Sequence, residues 1–235
     1  SYGIAATAEN SNINVNASNV TIHTSGSNES SGIYSDQGNV SIINNISVHA
    51  KNGNGILAKD NGKVTINGDA DITVDENNAQ AVWASAGTVE IKGDTTINAV
   101  NKTALLAEAG GQIKLDTTNK RVNITGDIEN HGGSIAIVPG EDSVIKGAIR
   151  NTSGNVEISL GKGSVLEGGI ETGSTQKTFS VMRNVSAEPI TKLSLVDGAI
   201  WRFNADKDAN VSDLVGGSMS LRMGFEVSKA PGILS

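Results

Sequence analysis

Three sets of residues in this chain have types and spacings that could do chemistry. His23, His49 and Asp75 recur at intervals of 26 residues. If the chain stacks with that period, these side chains lie about 5 Å apart on one face. Two imidazoles and a carboxylate could then hold a divalent metal or form a pH-sensitive cluster. A one-residue slip in any turn destroys the alignment, and the next positions in the series are Val100 and Thr125. The plainer alternative is a solvated face without a site.

A second set is apolar. Ala5, Tyr34, Leu57, Trp83 and Leu106 each stand between an apolar residue and a small one. Such a middle residue points away from the core, so stacking should align Tyr34, Leu57, Trp83 and Leu106 as an exposed stripe. A contiguous apolar stripe marks a binding face for a protein or a sugar ring; the alternative is a stripe that only shields strand backbone.

The third set is acidic. Asp69, Asp71, Asp75 and Glu76 cluster in sequence, and Asp36 and Asp60 stand in turns. Paired carboxylates hydrolyse glycosides, and calcium held by carboxylates can serve a polysaccharide lyase together with Arg or Lys. Only five Arg are present, however, and Arg150, Arg183, Arg202 and Arg222 lie beyond the regular part of the chain. His131 sits apart in a Gly-rich turn, so no Ser/His/Asp triad can be drawn. Acidic turns on a soluble surface explain these residues more simply. No catalytic residue is assigned, no cofactor is called for, and the chain reads as a non-enzyme.

The elements that must position these residues are short strands. Among 235 residues, Ile and Val far outnumber Leu, aromatic residues make up 3%, and Gly occurs 28 times. Branching at Cβ suits strands and disfavours helices. Asn is abundant and favours turns. The chain has no Cys, which excludes disulfides and Cys-ligated zinc. No apolar run is long enough for a membrane helix. There is no initiator Met or signal peptide, so the chain reads as a processed or excised piece. A net charge of −7 with scattered basic residues argues against nucleic acid as a partner.

A three-part unit recurs about every 23 to 30 residues over positions 1–125. Its first pair is Ile4/Ala6, Ile33/Ser35, Ile56/Ala58, Val82/Ala84 and Leu105/Ala107. The second is Ile13/Val15, Val40/Ile42, Val64/Ile66, Val89/Ile91 and Ile113/Leu115. The third is Val20/Ile22, Ile46/Val48, Ile72/Val74, Ile97/Ala99 and Val122/Ile124. Members two apart share one face of a strand. Turns such as Asp36-Gln37-Gly38 and Asp60-Asn61-Gly62 separate the strands.

This order predicts an all-β fold, a right-handed parallel β-helix with three-strand coils and a C-terminal capping region. Nine to ten coils would span some 40–50 Å at about 4.8 Å each. One coil cannot bury its apolar pairs alone, and stacking completes the core. An antiparallel β-sandwich would not keep the three-strand order. The rhythm continues less regularly from Ser134, where Pro139 fits a turn, and 171–192 interrupt it. The Asn-rich turns, such as Asn44 and Asn45, Asn52 and Asn54, and Asn77 and Asn78, suit side-chain ladders between coils. The division is residues 1–189 as coils and 190–235 as a cap continuous with them.

The stretch Leu193-Ser-Leu-Val-Asp-Gly-Ala-Ile-Trp201 resembles the "L-x-L-x-x-G-A-x-W" stretch near the end of type V autotransporter passenger domains. Asp213-Leu214, Gly216-Gly217 and Met219-Ser220-Leu221 fit the coil that follows it. The coils containing Gly32 to Ser35 and Gly55 to Ala58 are similar to pertactin-like passengers. The resemblance implies an autochaperone-like segment in which Leu193, Leu195, Ala199, Trp201 and Phe203 cap the helix. It further implies export through a C-terminal outer-membrane β-barrel, and display on or release from the bacterial surface. The chain ends at Ser235 without a barrel and would then be a passenger fragment. It carries no Arg-Gly-Asp tripeptide, Pro-rich loop or chymotrypsin-like protease domain.

The function expected from the residues and the resemblance together is adhesion. A rigid rod would bind a host or microbial surface protein or glycan through Tyr34, Leu57, Trp83 and Leu106. The alternatives are self-association in aggregation or biofilm, a stalk for a missing N-terminal domain, and polysaccharide cleavage.

Overall fold

The computed structural model describes residues 1–26, 30–75, 79–117, 119–173, 188–196, 198–202 and 213–216. Every named strand pairs in parallel with its counterpart one turn away, and all belong to one continuous sheet. The chain winds as a parallel β-solenoid of about seven turns. That is fewer than the nine to ten coils expected. Seven steps of about 4.8 Å give a described rod roughly 34 Å long. The antiparallel sandwich is excluded by the pairing.

Three faces repeat. The first opens with Tyr2–Ala6, Ser31–Asp36, Asn54–Lys59 and Gln80–Ser85. The second opens with Asn12–Val15, Asn39–Ile42, Lys63–Ile66 and Thr88–Ile91, and the third with Asn19–Thr24, Asn45–Ala50 and Ala70–Val74. Further along, the strands run round the corners. Thr95–Glu108 joins the third face to the first, and Val122–Pro139 crosses all three. Register shifts near Asn98/Thr103 and His131/Gly133 absorb those corners.

The inward residues form columns. Ile33, Ile56, Val82 and Leu105 stack on the first face, and Val40, Val64, Val89 and Ile113 on the second. Both sets match the sequence expectation and are completely or almost completely buried. Full burial of each such side chain contributes roughly 1.5–3 kcal/mol.

The third face differs from the expectation. Val48 aligns with Ile72 and then Ile97, not with Val74 and Ala99. The position aligned with Ile46 is taken by Ala70 and then Thr95. A pattern keyed to apolar Ile and Val passes over the small Ala70 and the polar Thr95 and slips by two. Pro139 also differs: it is the buried last residue of a strand, paired with Thr117, and not a turn residue. A strand end tolerates proline, which lacks the donor that an inner ladder position needs.

The turns carry the backbone conformations that their residues suggest. Gln37, Asp60 and Asn61 have φ of 63°, 50° and 69°. Asn and Asp visit this left-handed region more readily than other non-Gly residues.

At the far end, Leu193 stacks on Ile158, and Trp201 extends the third-face column of Ile145 and Leu166. Leu193, Leu195, Ala199 and Trp201 are buried, and the Trp201 indole N–H donates to the Gly168 carbonyl at 2.9 Å. Ile190–Leu195 and Ile200–Arg202 continue the solenoid as ordinary strands of it. Phe203 lies outside the described residues.

Candidate functional site

On the first face the outward residues align in the expected register: Ala5, Tyr34, Leu57, Trp83 and Leu106. The same column continues as Glu129, Arg150 and Glu171. It is therefore apolar along one half of the rod and charged along the other.

The stripe is not openly exposed, contrary to expectation. Tyr34, Leu57 and Leu106 each keep only 9% of their surface, and Trp83 is half-buried. Outward direction follows from strand parity, but cover comes from the neighbours one coil away, close enough to pack on one another. The Tyr2 ring adds a lid, stacked on Tyr34 with centroids 4.3 Å apart and planes 11° from parallel.

A polar column runs beside it: Asp36, Lys59, Ser85 and Glu108. The Tyr34 hydroxyl donates to Asp36 Oδ2 at 3.0 Å. Burial, and then this bond to a carboxylate, push the phenol above its ordinary pKa. Lys59 Nζ lies 3.3 Å from Asp36 and 3.4 Å from Asp60, and the bond to Asp36 raises the lysine above its ordinary value. The Trp83 indole N–H donates to Glu108 at 3.2 Å. In the charged half, Arg150 Nη1 lies 2.6 Å from Asp127 and 3.3 Å from Glu129, while its Nε lies 3.9 Å from Glu171. The Asp127 bond leads in holding this guanidinium above its ordinary pKa.

The metal trio does not assemble. His23 pairs with His49, their rings 5.8 Å apart and edge-on. The residue aligned with His49 on the next coil is Thr73, not Asp75. Asp75 reaches back so that His49 Nε2 and its Oδ2 are 2.8 Å apart, both side chains nearly half exposed. Among the described residues no three His, Asp or Glu side chains gather closely enough to hold a metal ion.

Of the acidic residues, Asp69 holds a turn, whereas Asp71 stands exposed within the strand Ala70–Val74. Asn45 Oδ1 accepts the Asp69 N–H, Asp69 Oδ1 accepts the Asp94 N–H, and Asp94 Oδ1 accepts the Arg121 N–H, each at 2.7–2.9 Å. One corner of the solenoid is thus stapled from coil to coil. Asp36 and Asp60 share Lys59, and Glu76 lies outside the described residues. His131 binds Thr152 Oγ1 at 2.8 Å through Nδ1.

The strongest polar ladder was not among the Asn pairs expected. In the inward column of Ser35, Ala58, Ala84 and Ala107 the next members are Asn130 and Asn151. Both are fully buried, and Asn130 Nδ2 donates to Asn151 Oδ1 at 3.0 Å. The signal was available as Ile128-x-Asn130 and Ile149-x-Asn151, the first-strand triplet with Asn replacing the small residue. Surface ladders exist as well, from Asn39 to Asn12 and from Asn44 to Asn16; Asn77 and Asn78 fall outside the described residues.

Comparison with protein-family models, with curated proteins and with solved structures gives no match. The geometry defines the class, a parallel β-solenoid of a kind compatible with a β-helix passenger.

Proposed function

We propose that this chain is a surface-displayed, non-catalytic passenger of the autotransporter type that adheres to a partner through its first face. Under this reading a C-terminal outer-membrane barrel exports it, and the Leu193–Trp201 coil serves as the autochaperone-like end. The observation that carries the proposal is the in-register column of Tyr34, Leu57, Trp83 and Leu106 beside Asp36, Lys59 and Glu108. An apolar centre with a hydrogen-bonded polar border has the anatomy of a protein interface. A protein surface fits better than a sugar ring, because Tyr2 already covers the Tyr34 ring.

The test is saturable binding of the purified chain to immobilised matrix proteins, glycans, cells and the chain itself. Trp83→Ala should leave the fold intact and weaken binding about 30-fold, as loss of an aromatic anchor does. Equal binding by the variant removes the site, and binding only to itself moves the reading to aggregation. A stalk is the second reading. It is favoured by the low exposure of Tyr34, Leu57 and Leu106, and silence against every target would support it.

A further inference from the structure

The third face carries an open groove of about 390 Å³ that spans four successive coils. One wall is the outward column Thr21, Ser47, Asp71 and Thr96, in register. The other is the corner ladder of Asn45, Asp69 and Asp94. Val20, Ile46 and Ala70 line it between them. Four strands make the groove about 14 Å long, parallel to the rod axis. Every wall residue is a short hydroxyl, amide or carboxylate side chain; among the described residues no aromatic ring and no Lys or Arg lines it.

From this we infer a binding site for a neutral, hydroxyl-rich saccharide chain lying along the rod, on a different face from the proposed adhesion column. The inventory of groups matches such a ligand. Thr and Ser hydroxyls both donate and accept, Asn amides donate, and carboxylates accept. Asp69 and Asp94 each accept a backbone N–H through Oδ1, which holds the carboxyl group in place. Paired sugar hydroxyls donating to a carboxylate make charge-assisted bonds, the strong kind. The same carboxylates, with no cation lining the groove, repel uronates and sulfated sugars. Without a stacking platform each sugar unit contributes little, since a hydrogen bond exchanged with water nets only about 1 kcal/mol. Affinity then grows with the number of units held along the repeat, and a long chain is favoured over a monosaccharide.

The experiment uses the isotope-labelled chain and hexaoses of glucose, mannose, N-acetylglucosamine, glucosamine and galacturonate, followed by amide shifts. The expected result is saturable shifts centred on Ser47, Asp71 and Thr96 with at least one neutral hexaose, and none with the galacturonate hexaose. Asp71→Ala combined with Thr96→Val should weaken that binding at least about tenfold. Both side chains are exposed, so the fold should persist, and the variant's own spectrum checks this. Trp83→Ala should leave it unchanged, which separates this site from the adhesion column. The inference is overturned if no neutral hexaose shifts groove amides at about 10 mM. It is equally overturned if only the glucosamine hexaose binds, which would reduce the groove to a bare negative charge, or if galacturonate binds as well.

Discussion

Replacing Asn151 by Ala tests whether the buried amide ladder holds the later coils together. Asn151 is fully buried. Its Nδ2 lies 2.9 Å from the Ile190 carbonyl and 3.1 Å from Thr191 Oγ1, while its Oδ1 accepts from Asn130 at 3.0 Å. These bonds span three turns and join the strand Ile149–Leu160 to the strand Ile190–Leu195. Truncation removes them and leaves buried partners short of a bond, each at about 1–3 kcal/mol. Some of these partners keep other bonds, as Asn130 Nδ2 does with the Gly133 carbonyl. A net loss of about 3 kcal/mol is therefore expected. With a urea slope of roughly 1–3 kcal/mol per molar, the midpoint should fall by at least about 1 M.

Solenoid stability is local, so the probe must be local too. The chain has two Trp. Trp201 is buried in the turn that Asn151 bonds, and Trp83 lies several turns away. In a Trp83→Phe background, Trp201 fluorescence should report the full shift. With Trp201→Phe, the Trp83 transition should move less. Asn39→Ala, which breaks only the exposed bond to Asn12, should stay within about 0.5 kcal/mol. Equal effects of Asn151→Ala and Asn39→Ala would refute the reasoning, since burial would then not set the cost of the ladder.

Further predictions concern backbone, charge and core. Gly147 has φ of 153° and sits between Gly126 and Gly168, and an added Cβ would run into the Gly126 carbonyl. Gly147→Ala should cost at least about 2 kcal/mol in thermal unfolding, whereas Gly110→Ala, with nothing within 4 Å, should show only the smaller backbone cost of about 1 kcal/mol. At Glu167 burial alone would raise the pKa, but bonds from Arg202 and Lys146 outweigh it and hold it below the ordinary 4.5. A lowered folded-state pKa gives stability that is present above 4.5 and lost as pH falls through the lowered value. Urea midpoints measured down through pH 4.5 should therefore fall more steeply for the parent than for Glu167→Gln. Val64→Asp places a carboxylate at a completely buried site, and an unpaired charge there should cost several kcal/mol and abolish the cooperative transition seen by circular dichroism.

The fold was legible because the core columns are written in a period-two code. Val40, Val64, Val89 and Ile113 each open an apolar pair after a polar turn, and they pair in that register. The third face was less legible. Ala70 and Thr95 occupy inward positions that a pattern of apolar Ile and Val does not mark, so the register slipped by two and took the metal trio with it. The contact between His49 and Asp75 is real, but it runs diagonally between coils. The amide ladder was hidden for the opposite reason. Asn reads as a turn residue, and nothing local says that Asn130 and Asn151 continue a column of Ala.

The candidate sites show what parity decides and what it leaves open. Alternation tells which way a side chain points, so Tyr34, Leu57, Trp83 and Leu106 do align on the outer side of one face. Whether such a residue meets solvent depends on the size of its neighbours one strand spacing away. Bulky outward residues in register fill that spacing and cover one another, which is why the aromatic and leucine column retains so little surface. Short outward residues leave it unfilled. Thr21, Ser47, Asp71 and Thr96 stand on the third face at the same coil spacing, and there the structure has a groove. On a solenoid, then, a column of large apolar residues predicts self-cover broken only at its least packed member, here Trp83. A column of small polar residues predicts an accessible concavity, here the groove along Ser47, Asp71 and Thr96.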